Sequence, residues 1–309
     1  MPSIVTITLN PCVDISSSVD AFKPEKKLRC APLVYEAGGG GINVARAIKK
    51  LGGEALAIYL AGGNAGATLQ SLLATESLNS MSIDNGVNTR VNVMMIDKAT
   101  ALQYRFVTTG SPIDESYCEQ CIEALEKLDG VKYIVVSGSL QPGLPLDIFE
   151  RFSAVAKQKQ AKLIIDAPTD VMKVYPIKGI YLLKPNLLEL SMLVGKEELE
   201  GDEVTNAARA IIAKNICEVV VVSMGAAGAL LVTKDFVQRF IAPPVKVKTT
   251  VGAGDSMVAG IVLYLSKDND IKEAVRFGIA SGTAATLNEG TQLCRLEDAE
   301  RLYKEMQKA

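Results

Sequence analysis

The 309-residue chain contains no histidine and no tryptophan. Without histidine, any general base must be Asp, Glu, Lys, Tyr or Cys. No single charge sign dominates, because 33 Lys and Arg residues face 35 Asp and Glu residues and the basic ones are scattered. This balance disfavours a nucleic-acid binder or a protein that binds acidic membranes.

Long apolar runs and targeting signals are also absent from the sequence. No run approaches the ~20 apolar residues that span a bilayer, and the N-terminus has neither a basic region nor a signal-peptide cleavage site. We therefore expect a cytoplasmic protein. The six cysteines are irregularly spaced, and Cys118 and Cys121 have no second pair to complete a zinc site. We interpret all six as reduced thiols.

What the sequence does contain is an alternation of strand-like and helix-like segments. The strand-like segments are Ile4–Leu9, Ala55–Ala61, Tyr133–Ser137, Lys162–Asp166, Gly179–Lys184 and Glu218–Ser223. The helical patterns cover Ile42–Leu51, Ala67–Ser77, Glu115–Leu128, Leu146–Lys159, Asn186–Val194, Asp202–Asn215, Ser256–Leu265, Ile271–Leu287 and Leu296–Gln307. Such alternation predicts an α/β fold around a mostly parallel sheet, with ligands at the carboxyl ends of its strands.

Two segments, 12–36 and 88–110, are strand-like but have no intervening helices. The second predicts an antiparallel hairpin of Val91–Ile96 and Gln103–Val107. We expect both segments to form a small β-sheet that projects from a main domain of residues 1–11, 37–87 and 111–309. A sheet this small cannot bury both of its faces alone, so it is a candidate lid or dimer surface.

The segment Thr249–Asp255 is the most informative stretch, because two glycines and an alanine lead directly into an apolar helix. Unpaired N–H groups at a helix start, together with the helix dipole, favour an anion there. Asp255 lies at the same place, and a carboxylate beside a phosphate site indicates proton removal next to a phosphoryl group. The alternative interpretation is a glycine turn with an acid that the dipole alone favours.

Four consecutive glycines, Gly38–Gly41, precede the helix that contains Asn43. Glycines allow the backbone to approach a ligand closely, and the Asn43 carboxamide can both donate and accept hydrogen bonds, as a sugar hydroxyl requires. The alternative is a flexible turn. Neither a dinucleotide fingerprint nor a P-loop motif is present, so a dinucleotide fold and a P-loop enzyme are disfavoured.

Three further motifs follow predicted strands or helices. In Lys184–Glu189, oxygen ligands from Asn186 and Glu189 could hold Mg²⁺ through water beside nucleotide phosphates, or they could simply cap a helix and face solvent. Ser223–Gly228 could approach a ligand or form a hairpin turn before Ala229–Thr233. Asn288–Gly290 ends a long helix, with a plausible C-cap at Gly290.

Together these motifs resemble the ribokinase-like (PfkB) family of sugar kinases over essentially the whole chain. Gly38–Ala45 resembles the first family signature, Thr250–Asp255 the second, and Lys184–Glu189 the metal-associated N-x-x-E element. The resemblance implies a three-layer α/β/α fold with a β-sheet lid, which also pairs two subunits into a homodimer. It implies ATP as phosphoryl donor and Mg²⁺ as its partner ion, and family members often bind a monovalent cation such as K⁺.

The resemblance also implies roles for individual residues. Asp255 would accept the proton of the attacking sugar hydroxyl, and Gly252, Ala253 and Gly254 would form the anion hole for the transferred phosphoryl group. The sugar phosphate would be bound by Asp14, Gly38, Gly39, Asn43, Arg90, Ser139 and the partner subunit's Arg29.

On the nucleotide side, the resemblance assigns Lys27, Lys184, Asn186, Ser223, Gly225, Gly228 and Asn288 to ATP and Glu189 to Mg²⁺. The monovalent cation would be held by Thr249, Val251, Ala285, Asn288 and Gly290. Gln292 departs from the nearest relatives, which have Arg there.

Within the family, the chain resembles most the branch that phosphorylates fructose 6-phosphate at its 1-hydroxyl. Branches that act on fructose 1-phosphate and tagatose 6-phosphate tend to carry Lys where this chain has Gly40. Those two sugars are the alternative substrates. A non-catalytic sugar-phosphate or nucleotide sensor and an NAD-dependent enzyme are the alternative classes; the missing fingerprint argues against the latter.

Overall fold

A nine-stranded sheet forms the centre of the structure, a computed structural model that describes residues 2–167, 177–290 and 292–308. The strands run in the order β13-β12-β11-β10-β9-β8-β1-β4-β5. Those from β5 to β11 are parallel, whereas β12 and β13 form an antiparallel edge. The strands are β1 (Ile4–Thr8), β4 (Leu56–Ala61), β5 (Ser80–Asp84), β8 (Tyr133–Ser137), β9 (Lys162–Asp166), β10 (Ile180–Leu183), β11 (Cys217–Ser223), β12 (Ala229–Thr233) and β13 (Val237–Phe240).

Helices cover both faces of this sheet and produce three layers, as predicted. Side chains of β1 alternate between the two cores: Ile4 packs in one, and Val5 and Ile7 pack in the other. The first core is closed by α1 (Gly40–Lys50), α2 (Gly63–Thr75), α7 (Ala253–Leu265), α8 (Ile271–Ala285) and α9 (Leu296–Lys308). The second is closed by α3 (Ser116–Glu126), α4 (Ile148–Gln158), α5 (Leu187–Leu193) and α6 (Asp202–Ala213).

A separate four-stranded sheet has the order β3-β2-β6-β7. Its strands are β2 (Cys12–Val19), β3 (Val34–Gly38), β6 (Arg90–Asp97) and β7 (Leu102–Phe106). The predicted hairpin is confirmed, because β6 and β7 pair antiparallel. All five residues of β7 are exposed, including Leu102, Tyr104 and Phe106. One face of this sheet is therefore apolar and open to solvent.

Several sequence expectations differ from the structure. Edge strands β5 and β13 were missed, since they carry no continuous apolar run. Within the strand-like segment 12–36, only 12–19 and 34–36 are strands, and the second strand continues to Gly38. The predicted C-cap at Gly290 is wrong: α8 ends at Ala285 with Thr286 as its cap, and Gly290 lies in the following turn at φ +65°.

All six cysteines are free thiols, as predicted, and only Cys30 is exposed. Among the described residues, no group of three or more acidic or cysteine side chains could hold a metal ion by itself. No described helix combines the length and the apolar character required to cross a membrane.

Candidate active site

Predicted site residues from several motifs lie at the carboxyl ends of the central strands. From β1 the sheet grows through β4 and β5 on one side and through β8, β9 and β10 on the other. Because the strand order proceeds in opposite directions from β1, a crevice forms beyond the strand ends, and α/β proteins bind ligands in such crevices. Asn10 follows β1, Ser139 follows β8, Asp166 ends β9 and Lys184 follows β10.

Helix α7 begins at this edge, with Gly252 as its N-cap in the left-handed region at φ +72°. The left-handed φ favours glycine here, and a Cβ would also lie 2.7 Å from Leu293 Cδ2. The first turn then contains Ala253, Gly254 and Asp255, whose position in the helix leaves N–H groups without a helical acceptor. The geometry suits an anion at the helix start.

The start of α7 is also held rigidly against α8. A Cβ on Gly282 would lie 2.9 Å from the Ala253 carbonyl oxygen, and a Cβ on Gly260 would lie 2.9 Å from Gly278 Cα. The two helices therefore touch backbone to backbone. Close packing of this kind fixes the position of the first turn, where preorganised dipoles matter most.

Asp255 is the central side chain of the site. Its carboxylate accepts a hydrogen bond of 3.0 Å from Asn43 Nδ2. Burial, reinforced by the negative charge of Asp166, raises the pKa of Asp255 to about 6, against the lowering effects of Asn43 and Lys184. Asp14 adds a smaller raising effect. A carboxylate with such a pKa is ionised near neutral pH and still basic enough to accept a proton in catalysis.

Lys184 supplies the buried positive charge of the site. Its Nζ lies 3.0 Å from Asp166 Oδ1, and its side chain is 5% exposed. Burial alone would lower the pKa of Lys184, but the carboxylate of Asp166, with help from Glu189 and Asp255, keeps it raised. A Cβ on Gly254 would lie 3.7 Å from Nζ, so the ammonium group is close to the start of α7. Lys184 is therefore placed to contact an anion bound there.

Asp166 was missed by the sequence analysis. The available signal was an acidic residue directly after the buried apolar run Leu163–Ile165 of the strand Lys162–Asp166, at the edge where ligands bind. Its effect on the pKa of Asp255, Lys184 and Glu189 shows that its charge reaches all three groups.

Asn186 and Glu189 form a capping box at the start of α5. Glu189 N donates to Asn186 Oδ1 and Asn186 N donates to Glu189 Oε2, both at 2.8 Å. The helix-cap interpretation is thus what the structure shows for these two side chains. Burial raises the pKa of Glu189, although the N–H of Asn186 opposes that rise. A metal role for Glu189 remains a prediction.

The turn Ser223–Gly228 lies next to this capping box, since Ser223 and Asn186 form an isolated parallel bridge. The hairpin expected after β11 is present, because β11 and β12 pair antiparallel. Gly225 and Gly228 have φ values of +56° and +88°. A Cβ on Gly228 would lie 2.0 Å from the Phe240 carbonyl oxygen, which explains the glycine by packing alone.

The glycine run Gly38–Gly41 lets α1 pack against the ends of β1 and β8. A Cβ on Gly40 would lie 2.4 Å from Ser137 Oγ and 2.6 Å from Gly138 N, and one on Gly41 would lie 2.4 Å from the Ile7 carbonyl oxygen. Gly39 has a φ of +112°. The close approach is therefore to the protein's own backbone, and it brings Asn43 to Asp255.

Asp14 and Arg90 each belong to a hydrogen-bonded group near these glycines. Asn92 Nδ2 donates to Asp14 Oδ1 at 2.9 Å, and a Cβ on Gly38 would lie 2.3 Å from Asp14 Oδ2. Arg90 donates to the carbonyl oxygens of Asn10 and Thr108.

Arg90 and Ser139 meet through Asn10, a residue that the sequence analysis missed. Asn10 is buried, and its Nδ2 donates to Ser139 Oγ at 3.1 Å and to the carbonyl oxygens of Thr109 and Leu140. Lys27 and Arg29, in contrast, are exposed and make no hydrogen bond or ion pair within the described chain. The structure does not join them to the Asp255 group.

The residues expected around a monovalent cation lie in the segment before α7 and at the end of α8 and the turn after it, and these two segments contact each other. The Thr286 carbonyl oxygen accepts from Thr249 N at 3.4 Å, and the Ala285 carbonyl oxygen accepts from Asn288 N at 3.2 Å. Asn288 is buried and its Nδ2 donates to the Leu293 carbonyl oxygen at 2.9 Å, so its carboxamide links two loops. Val251 N donates to Thr249 Oγ1, and Gly290 lies in the turn after α8.

Comparisons with known protein families, sequences and structures all identify carbohydrate kinases as similar to this chain. The family model described as pfkB family carbohydrate kinase matches residues 3–299. The chain is 41% identical over 304 residues to ATP-dependent 6-phosphofructokinase isozyme 2 of Escherichia coli (strain K12), covering 98% of each protein.

Two solved structures of phosphofructokinase-2 from Escherichia coli have the same fold. The structure in complex with potassium matches with a TM-score of 0.93 and 40% identity over 99% of this chain and 100% of that one. The structure in complex with substrates and products matches with a TM-score of 0.91 and 41% identity over 98% of this chain and 99% of that one.

Proposed function

We propose that this chain, which belongs to the pfkB family of carbohydrate kinases, transfers the γ-phosphoryl group of ATP to the 1-hydroxyl of fructose 6-phosphate. The product is fructose 1,6-bisphosphate. The observation that carries the proposal is Asp255, a carboxylate with a pKa of about 6 in the first turn of a glycine-started helix. Similarity to an ATP-dependent 6-phosphofructokinase over 98% of both chains supports the choice of substrate.

In this proposal Asp255 accepts the proton of the attacking hydroxyl as the oxygen approaches phosphorus. N–H groups of Gly252, Ala253 and Gly254 stabilise the negative charge on the transferred group. Lys184 adds a positive charge beside the same helix start. Phosphoryl transfer requires mainly positioning and charge neutralisation, and this arrangement supplies both.

The sugar phosphate lies between the two sheets in this proposal. Asp14, Gly38, Gly39 and Asn43 bind its hydroxyl groups. Its existing phosphate is bound by Arg90 with Ser139 and by the partner subunit's Arg29. Guanidinium groups match phosphate oxygens in geometry as well as charge. The Asn10 contacts, which hold Arg90 and Ser139 together, support their common role.

The nucleotide occupies the crevice beyond β10 and β11. It contacts Lys27, Lys184, Asn186, Ser223, Gly225, Gly228 and Asn288. Mg²⁺ neutralises charge on the ATP phosphates when bound, and the carboxylates of Asp166 and Glu189 fit water-mediated contact with it, because Mg²⁺ keeps several waters in nucleotide sites. Thr249, Val251, Ala285, Asn288 and Gly290 hold a monovalent cation; the fold match with a potassium complex supports this assignment.

Two copies pair through the smaller sheet in this proposal. Its open face presents Tyr35, Leu102, Tyr104 and Phe106 to solvent. Contiguous apolar surface of this kind is costly on a monomer and typical of an interface. Pairing would also bring the partner's Arg29 to the sugar, in agreement with the exposure of that side chain in one chain.

Purified protein assayed with MgATP and a panel of fructose 6-phosphate, tagatose 6-phosphate and fructose 1-phosphate tests the proposal. Preference for fructose 1-phosphate would overturn the substrate, and absence of turnover with any sugar would overturn the class. Asp255→Asn should lose a factor of ~10²–10⁴ in turnover, while the exposed Asp235→Asn serves as control. Near-normal turnover of Asp255→Asn would refute its role.

A further inference from the structure

A continuous chain of polar contacts runs from Asp255 to the far end of helix α2. Asn43 donates from Nδ2 to Asp255 and accepts at Oδ1 from Arg46 Nη1, at 3.2 Å. Arg46 in turn donates from Nε and Nη2 to both carboxylate oxygens of Glu76, at 2.6 to 3.0 Å. Its Nη1 also donates to the Ala37 carbonyl oxygen at 2.7 Å. The proposed reaction uses Asn43 and Asp255 but does not account for Arg46 or Glu76.

Arg46 can fix the orientation of the Asn43 carboxamide for a chemical reason. A guanidinium group only donates hydrogen bonds and an ionised carboxylate only accepts them. With Arg46 on one side and Asp255 on the other, the carboxamide must turn its oxygen to Arg46 and its NH₂ to Asp255. The reversed orientation would set oxygen against carboxylate and NH₂ against guanidinium.

Glu76 occupies an unfavourable position for an acidic residue that pairs with Arg46. Glu76 caps the C-terminal end of α2, where the helix dipole disfavours a negative charge. Arg46 is 5% exposed and Glu76 is 35% exposed, so a largely buried cation is paired with a poorly placed acid. Removal of either charge would leave the other without its partner, which is costly inside a protein.

We propose that the Arg46–Glu76 ion pair is a positioning device that keeps the NH₂ group of Asn43 directed at Asp255. Arg46 and Glu76 are positioning residues, because neither touches the reacting groups. The effect of this ion pair on turnover rests on the proposed function. Its structural effect concerns only the orientation of one carboxamide and the ionisation of one carboxylate.

Loss of the device should make Asp255 harder to ionise. The Asn43 hydrogen bond lowers the pKa of Asp255, opposing burial and the negative charges of Asp166 and Asp14, and the positive charge of Lys184 lowers it as well. If Asn43 is free to reverse, its oxygen can accept a hydrogen bond from protonated Asp255. Both effects favour the protonated carboxyl.

Titration of Asp255 by carbon-13 NMR, in protein labelled at the aspartate carboxyl carbon, tests the proposal without any turnover. The spectrum of Asp255→Asn identifies the signal. In Arg46→Met, which retains the volume but donates nothing, the titration midpoint should move upward by about one pH unit, the size of one hydrogen bond to a charged group. Glu76→Gln should give a smaller upward shift, since Arg46 stays but is held less firmly.

Arg151→Met is the matched control. Arg151 also pairs with two carboxylates, those of Glu119 and Asp147 on α3 and next to α4, but it lies on the opposite face of the sheet. The Arg151→Met variant should be less stable than the wild type but should have the same titration midpoint for Asp255. Should Arg46→Met fail to fold, Glu76→Gln and Arg46→Lys decide the matter, because Lys cannot make the forked contact.

An Asp255 midpoint unchanged to within about 0.2 pH unit in every folded variant would overturn the proposal. Turnover of fructose 6-phosphate adds a second readout: the acid side of the pH profile of kcat should move up with the midpoint, while KM for ATP changes little. A wild-type protein without kinase activity would refute the proposed function but would leave the titration result standing.

Discussion

Turnover should depend on pH through Asp255, whose pKa lies at about 6. A base with that pKa is about 90% ionised at pH 7 and about 10% ionised at pH 5, so kcat should fall about tenfold between them. An aspartate at the ordinary value of 3.8 would stay largely ionised at pH 5, and kcat would barely change. The position of the acid limb therefore reports the environment of Asp255.

The substrates complicate a wild-type profile, because phosphate groups also titrate near pH 6. Asp166→Asn separates the two contributions. This change removes a negative charge that raises the pKa of Asp255. The loss of this negative charge stabilises ionised Asp255, so the acid limb should move to lower pH, whereas the titration of the free substrates does not change.

The assay is kcat at saturating MgATP and fructose 6-phosphate from about pH 4.5 to 8. Asp298→Asn is a suitable control, since Asp298 also pairs with a cation, Arg301, but lies on α9 away from the site. A contribution of Asp166 to magnesium binding would lower kcat at every pH without moving the limb. An acid limb that stays in place or moves up in Asp166→Asn would refute the electrostatic account of the site.

Two further predictions concern stability. Because the pKa of Asp255 rises from 3.8 to about 6 on folding, the folded state binds its proton more tightly, and the free energy of unfolding falls as pH rises through that interval. Asp255→Asn should therefore raise the free energy of unfolding at pH 7 by about 1 to 3 kcal/mol while making little difference near pH 4; urea denaturation at both pH values checks this, and a less stable variant at pH 7 would contradict it. Gly40→Ala should lower the free energy of unfolding by about 1 to 3 kcal/mol, because its Cβ would lie 2.4 Å from Ser137 Oγ. Gly254→Ala, where the nearest atom is 3.7 Å away, should be neutral or stabilising in the same denaturation experiment; equal effects would show that packing does not explain Gly40.

Much of the fold follows from the sequence because the central strands are buried on both faces. Tyr133–Ser137 and Lys162–Asp166 have the predicted bounds, since the buried centre of each strand forms a short continuous apolar run between turns. Strands β5 and β13 lie at the two ends of the sheet, where one side lacks a neighbour and polar residues interrupt the pattern. The apolar signal that located the central strands is therefore weak there.

In the candidate site, residues within contiguous motifs could be predicted from the sequence, whereas contacts between distant positions could not. Gly252–Asp255 and Lys184 could be found because each belongs to a contiguous motif. Asn10 meets Ser139 across 129 positions and Arg46 meets Glu76 across 30. Those contacts depend on which strands and helices become neighbours. A single sequence does not contain that information in any local pattern.

The glycine run shows why a local motif can identify a site and still give an incomplete reason for it. Gly38–Gly41 suggested that a ligand approaches the backbone. In the structure, Gly40 and Gly41 approach the ends of β8 and β1. A lysine at position 40 would therefore require the backbone itself to move. The influence of Gly40 on the choice of sugar stays a prediction.

Features that oppose stability converge on the Asn43–Asp255 hydrogen bond. Asp255 is a carboxylate whose burial raises its pKa, and Glu76 is an acid at the wrong end of a helix. Local rules are broken in folded proteins mainly where function requires it. Because Arg46 joins Glu76 to Asn43 and Asn43 to Asp255, these two violations belong to one connected unit. That connection is a stronger indication of function than either feature alone, since two unrelated defects would have no reason to share a contact.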